Sequence, residues 1–335
     1  MTIEKQRIQK AIAETLGAHI VALLEDESVI EIMRNANGAL CIERLGKSIE
    51  QSSVALSDRA TETFIRLLAS EAQELCNEKN PTLAVKLPYW RARVQGLLPP
   101  LVATPSFSIR KHSHHAFDLE HYVATKQLST EHYHYLVNAI DERQNVLIAG
   151  GTGSGKTTFA NALLQKMIAT GDRIITVEDT PELVLDSNIG LQIITKASIA
   201  YDARTAIKDT LRLRPDRIVL GELRDGACLD LVKAWNTGHS GGLTTLHANS
   251  SELALTRVES LIAEVSVNIP RELIAQTINF VVYIERRGSR RVVADVKRIT
   301  GFHNNNYVFC AVRGEHAKTS ITHHSDFSNP DLYLS

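Results

Sequence analysis

Cysteine is scarce and scattered: the 335 residues hold four, Cys41, Cys76, Cys228 and Cys310, and no two form a C-x-x-C pair. That spacing argues against a disulfide framework and against a cysteine-built zinc site, and in favour of reduced thiols in a cytoplasmic protein. No apolar run reaches about 18 residues, so no membrane-spanning helix is expected. The opening stretch, MTIEKQRIQKAIAETLGAHI, lacks the uninterrupted apolar segment of a signal peptide. Net charge is nearly absent as well, at −1, which removes any global field that would draw the chain onto nucleic acid. No direct nucleic-acid binding is expected.

What is present is the balance of a globular protein, 44% hydrophobic and 22% charged residues, in a chain long enough for two domains. Ile8, Ile12, Leu16, Ile20 and Leu24 recur at helical spacing. Val29–Met33 and Ala39–Arg44 flank Asn35-Ala36-Asn37-Gly38, a turn signal that predicts a β-hairpin. Ser57 is placed to cap a second helix carrying Phe64, Leu67 and Leu68. Extended segments follow at Leu83–Leu87, Arg91–Leu97 and Phe107–Arg110, among several prolines. A small α+β domain over residues 1–111 is therefore expected. A linker over 112–128 follows, opening on the histidine-rich tract 112–115. These histidines have no carboxylate or cysteine at ligand spacing, so a solvated linker is the favoured reading over a metal site.

From Ser129 the pattern changes to alternating strand and helix. Apolar strands are expected at Asn145–Ala149, Arg173–Val177 and Arg217–Leu220, with helices at Thr157–Ala169, Ala203–Arg212 and Gly226–Asn236. Such alternation predicts an α/β domain with a mostly parallel sheet covered on both faces, over residues 129–317. The tail, 318–335, has no period and is expected to be poorly ordered.

Between the first of these strands and its helix lies Gly150-Gly151-Thr152-Gly153-Ser154-Gly155-Lys156-Thr157, followed by Thr158, which fits G-x-x-x-x-G-K-[ST]. Its glycines let the backbone curl so that successive N–H groups face phosphate oxygens, aided by the positive end of the helix. Lys156 would neutralise the β- and γ-phosphates of ATP and the Thr157 hydroxyl would ligand Mg²⁺. A second apolar strand, Arg217–Leu220, runs into Gly221-Glu222. Many phosphate-loop proteins place an aspartate where Gly221 stands, so metal and water must be held by Glu222 or by Glu178 and Asp179 at another strand end. In an open α/β sheet these strand ends form one crevice, where the three carboxylates are expected to converge.

Four segments together resemble the Walker A, Asp box, Walker B and His box of the secretion traffic ATPases. They are the glycine loop, Ile174–Glu182, Leu213–Arg224 and the run from Thr237 through His239 and His247 to Asn249. The likeness extends over about residues 85–285, and four motifs in order rarely coincide. Val29–Met33 and Phe107–Lys111 look most like the TrbB-type conjugal-transfer ATPases. This resemblance implies a RecA-like P-loop domain behind a smaller α+β domain, in a hexameric ring on the cytoplasmic face of the inner membrane, among the components of a conjugative type IV secretion machine. It implies that Glu222 positions the attacking water, that Glu178 supports Mg²⁺ and water, and that His247 senses the γ-phosphate or bridges subunits. It also places Arg93 and Arg110 over the nucleotide, with Arg204 and His239 as lesser candidates. Gly221-Glu222 is usual in this family.

Rival readings are a nucleotide-gated scaffold with little turnover, a type II secretion or pilus-retraction motor, and a DNA translocase. Glu178, Glu222 and His247 together favour turnover. The scattered cysteines disfavour the type II branch, and the absence of an aromatic-and-basic groove disfavours the translocase. Arg286–Arg291 reads as a hairpin turn between Val281–Glu285 and Val292–Val296, solvated by default, with a nucleic-acid or lipid-headgroup patch as the alternative.

Overall fold

The computed structural model describes residues 3–312, apart from 46, 88, 91, 112–116, 186–187, 197–198 and 289. The histidine-rich tract and the 318–335 tail thus lie outside the described residues. Helix α1 (Ile3–Glu25) is interrupted by non-helical backbone at Gly17. Six strands follow: β1 (Val29–Arg34), β2 (Ala39–Arg44), β3 (Glu50–Ala55), β4 (Thr82–Leu87), β5 (Ala92–Leu97) and β6 (Ser106–Lys111), with α2 (Asp58–Ala72) between β3 and β4. They form one antiparallel sheet in the order β3-β2-β1-β6-β5-β4. The Asn35–Gly38 turn joins β1 to β2 as expected, and Ser57 caps α2 by accepting from the Ala60 N–H. Ile12, Leu16 and Ile20 of α1 and Phe64, Ile65 and Leu68 of α2 form a core with Leu83, Val94 and Ile109 of the sheet.

Because strand side chains alternate, the residues between those core positions project from the opposite face. Register places Lys86 opposite Arg93 and Arg93 opposite Arg110. Three cations therefore stand in one row across β4, β5 and β6. Beyond Arg110 the row continues to Glu31 on β1.

The remaining elements are α3 (Leu119–Ala124), α4 (Thr130–Asp141), β7 (Val146–Gly150), α5 (Lys156–Ala169), β8 (Ile174–Glu178), β9 (Leu191–Ile194) and α6 (Ala203–Thr210). Then come β10 (Arg217–Leu220), α7 (Ala227–Asn236), β11 (Leu243–Leu246), α8 (Ser251–Ala263), α9 (Arg271–Thr277), β12 (Phe280–Arg287), β13 (Arg290–His303) and β14 (Asn306–Ala311). The sheet order is β14-β13-β12-β7-β11-β10-β8-β9. Pairing is parallel from β12 to β9, and the β12-β13-β14 edge is antiparallel. Every residue of β7, β8, β10 and β11 is buried. The reason is visible in β7: Val146 and Ile148 join one core with α3, α4 and α5, while Leu147 and Ala149 join the other with α6 to α9. This is the mostly parallel, doubly covered α/β sheet with a smaller preceding α+β unit that alternation predicts.

The structure departs from expectation at elements with weak local signals. The stretch read as linker is folded from Phe117 on: Asp118 caps α3, and Leu119 and Tyr122 are buried in the second unit's core. Glu50–Ala55 is polar and largely exposed, so only its pairing with β2 makes it a strand. The four-residue β9 is likewise defined by its pairing with β8.

A buried ion pair sets the end of the sheet remote from the glycine loop. Arg217, 1% exposed, donates from Nε to Asp172 at 2.6 Å, from Nη2 to Ile140 O at 2.9 Å and from Nη1 to Gly241 O at 3.3 Å. It thereby ties β10 to α4 and to the segment leading into β11. Arg217→Met should destabilise the protein by about 3 kcal/mol, the low end of the cost of orphaning a buried charge, because Arg143 still pairs with Asp172. An unchanged thermal midpoint would show that this pair does not hold the sheet.

Candidate active site

Strands β7, β8, β10 and β11 run parallel, so their carboxyl ends open on the same side. The segment Gly150-Gly151-Thr152-Gly153-Ser154-Gly155 turns from β7 into α5, which starts at Lys156 with Thr157 and Thr158 in its first turn. Lys156 is only 8% exposed, and its Nζ donates to the carbonyl oxygens of Gly150 and Gly151, each at 3.0 Å. Burial pushes the Lys156 pKa down, and Glu222 opposes that shift. Ser154 Oγ is buried and has no hydrogen-bond partner among the described residues. A glycine loop at the start of a helix, carrying a buried ammonium and a buried hydroxyl, suits a polyanion such as a nucleotide triphosphate.

Lys156 Nζ also lies 3.3 Å from His247 Nδ1, and His247 Nε2 lies 2.9 Å from Glu222 Oε1. The protonation pattern follows from the chemistry of the groups. An ammonium only donates, so Nδ1 must accept and the imidazole proton sits on Nε2, donating to Glu222. Burial and then the Lys156 charge push the His247 pKa below the ordinary histidine value, so at neutral pH the ring is uncharged. A continuous line thus joins Lys156, His247 and Glu222, residues brought together from the start of α5 and the ends of β11 and β10.

Arg224 completes the line. It binds Glu222 Oε2 through Nε at 2.8 Å and Nη2 at 2.5 Å, and it pairs with Asp179 through Nη1. Sequence reading gave Arg224 no role; its place two residues after the acid, on the turn leaving β10, is the only local hint. That turn is pinned by Thr245, whose hydroxyl donates to Gly221 O at 2.8 Å and whose carbonyl accepts from Leu223 N at 2.8 Å.

Glu178 and Asp179 part company. Asp179 faces outward to Arg224, whereas Glu178 is 4% exposed. Its Oε1 accepts from Glu182 N and Leu183 N at 2.9 Å, and its Oε2 from Gln192 at 2.6 Å. Burial pushes the Glu178 pKa up, and the two backbone donors act against it. A Cβ at Gly221 would lie 3.0 Å from Glu178 Cγ, so an aspartate at 221 would press on this carboxylate; glycine there follows from the close approach. Asp179 and Glu222 thus share Arg224, whereas the oxygens of Glu178 are engaged by N–H donors.

Arg93 and Arg110 sit in the basic row of the first sheet, together with Lys86, which sequence reading missed because strand register is not legible in one strand alone. The charge of Arg110 helps to lower the Lys156 pKa, and that of Glu178 acts against the burial that lowers the Lys86 pKa. Like charges directly opposite one another destabilise a sheet unless an anion offsets them. His239, by contrast, lies at the other end of β11, with Nδ1 3.1 Å from Pro215 O. Arg204 pairs with Asp230 on α7 at 2.8 Å. Both are remote from the line of contacts through His247.

The family model described as type II/IV secretion system protein matches residues 17–323. The chain is 40% identical to a conjugal transfer protein TrbB of Rhizobium radiobacter over 303 residues, covering 90% of this chain and 93% of that protein. It is 34% identical to the type IV secretion system protein VirB11 of Bartonella quintana, covering 76% of this chain and 82% of the relative. Among solved structures, the pilus retraction motor PilT with bound ADP has the same fold at 18% identity, with a TM-score of 0.59 and coverage of 87% and 80%.

Proposed function

We infer that this chain, which belongs to the type II/IV secretion system protein family, is an ATPase that powers conjugative transfer through a type IV secretion machine. The observation that carries the reading is the hydrogen-bonded line Lys156–His247–Glu222, which ties the phosphate loop to a strand-end carboxylate. The relatives named for conjugal transfer favour this branch over a pilus-retraction motor.

In this reading the loop amides and Lys156 hold the β- and γ-phosphates. Thr157 and Glu222 are the groups suited to hold Mg²⁺, partly through water, with Glu178 supporting them from behind. Bound there, the ion would offset phosphate charge. Glu222 orients water and takes its proton's hydrogen bond, while neutral His247 keeps that carboxylate in place and links it to Lys156. Arg93 and Arg110 come from the other sheet, so they meet the phosphates only when the two units close on one another. Such gating is what a motor requires: hydrolysis is coupled to relative motion, and a ring of six subunits docked on inner-membrane machinery would convert it to work.

The purified chain should release phosphate from ATP in a saturable reaction that stops when divalent ions are chelated. Its mass under native conditions with nucleotide should correspond to six subunits. Tight nucleotide binding without phosphate release would replace the motor by an assembly switch, and a strict monomer would remove the ring.

A further inference from the structure

Arg291 begins near the tip of the β12–β13 hairpin, which charge patterning marks as a solvated turn, yet its side chain folds back onto the phosphate loop. Nε donates to Gly153 O at 3.1 Å. A Cβ at Gly155 would lie 2.7 Å from Arg291 Cδ, so the arginine stem occupies the space beside that residue, whose φ of +93° suits glycine in any case. The guanidinium is half-buried, and among the described residues Nη1 and Nη2 meet no hydrogen-bond or ion-pair partner. Burial lowers its pKa most, the charges of Arg286 and Arg110 lower it further, and those of Glu43 and Tyr122 act against the shift. A half-buried planar fork with free donors beside a phosphate cradle lacks an anion.

Strand order tells which part of a nucleotide the fork meets. β7, which carries the loop, has β11 and β10 on one side and β12 and β13 on the other. His247 and Glu222 follow β11 and β10, so the γ-phosphate and its water lie on that side. Arg291 lies on the opposite side. We propose that Arg291 is a further phosphate-binding residue, anchored on Gly153 O and contacting the part of the phosphate chain that ATP and ADP share. The proposal rests on the nucleotide reading of the loop.

The test is binding of a fluorescent ADP analogue to the full-length chain, with Lys156→Ala as control, alongside steady-state ATP hydrolysis. Arg291→Ala and Arg291→Gln should both weaken the ADP analogue about ten- to a hundredfold, the range expected for a lost charge-assisted hydrogen bond. KM for ATP should rise in parallel, with kcat at saturation changed less than about threefold, as for an interaction made equally in ground and transition states. Arg291→Lys should recover part of the affinity. Glutamine retains a donor for Gly153 O, so wild-type binding by Arg291→Gln would reduce Arg291 to a strut of the loop and overturn the proposal. A loss confined to kcat would overturn it too. If the wild-type chain itself bound no ADP analogue, the nucleotide reading would fall, and Arg291 with it.

Discussion

Lys156→Ala should lower ATP turnover by at least about a hundredfold, the scale set by removing one preorganised donor from a developing charge. The expectation is large because Lys156 serves several needs at once. It is the buried ammonium of the loop, it fixes the acceptor tautomer of His247, and through His247 it bears on Glu222. The fold should survive. Lys156 donates to two loop carbonyls at 3.0 Å, and Gly151, one of the two residues concerned, is exposed, so water can take over much of that bonding. Phosphate release and the thermal midpoint should therefore be measured together. Wild-type turnover in a folded variant would falsify the assignment of the loop.

Replacing Glu222 by glutamine separates binding from chemistry. An amide oxygen at Oε1 still accepts from His247 Nε2, while the NH2 at the Oε2 position cannot accept from Arg224, so the contact to His247 is kept and the negative charge and the bond to Arg224 are removed. Arg224 retains Asp179 as a partner. Nucleotide affinity should stay within about threefold or tighten, because a carboxylate near the γ-phosphate has been neutralised. Turnover should fall about 10²- to 10⁴-fold, the contribution of a positioned general base. Single-turnover mixing with ATP, followed by separation of bound nucleotide, would show intact ATP held on the protein. A variant with unchanged kcat excludes Glu222 from the reaction and leaves Asp179, the exposed acid on the same arginine, as the next group to replace.

The role of His247 shows how environment acts on a motif residue. A histidine whose pKa is pushed down by burial and by an adjacent ammonium remains uncharged through the neutral range, and only acid solution protonates it. Protonation would break its acceptor contact with Lys156 and put two cations at 3.3 Å. The line is therefore a feature of neutral pH. This ring donates to a carboxylate and accepts from an ammonium, an arrangement that holds both in a single orientation.

The phosphate loop was legible because everything it needs is contiguous: glycines for the curl, a lysine, a hydroxyl, an apolar strand before and a helix after. The carboxyl-end acids were legible for a similar reason, since Glu178 and Glu222 each end an apolar strand. What they do there was not. Glu178 is bonded by the N–H groups of Glu182 and Leu183 four and five residues on, and Gln192 joins from the neighbouring strand. No sequence spacing distinguishes a carboxylate facing water from one folded into its own loop. The place of Lys86 in the basic row and the contact of Arg291, read from sequence as part of a solvated turn, were illegible on the same ground. One depends on the register of two hairpins, the other on which strand of a sheet lies next to the glycine loop.

Local periodicity and turn chemistry by themselves determined the alternating α/β body, the smaller sheet-and-helix unit before it, and the glycine loop with its lysine, because each is encoded within one element and its flanks. Tertiary structure alone decided that His247 stands between Lys156 and Glu222, that Lys86, Arg93 and Arg110 form a row, and that a turn arginine rests on the loop. Those relations depend on strand order and register, which bring residues from distant parts of the chain side by side, and no stretch of sequence contains both partners.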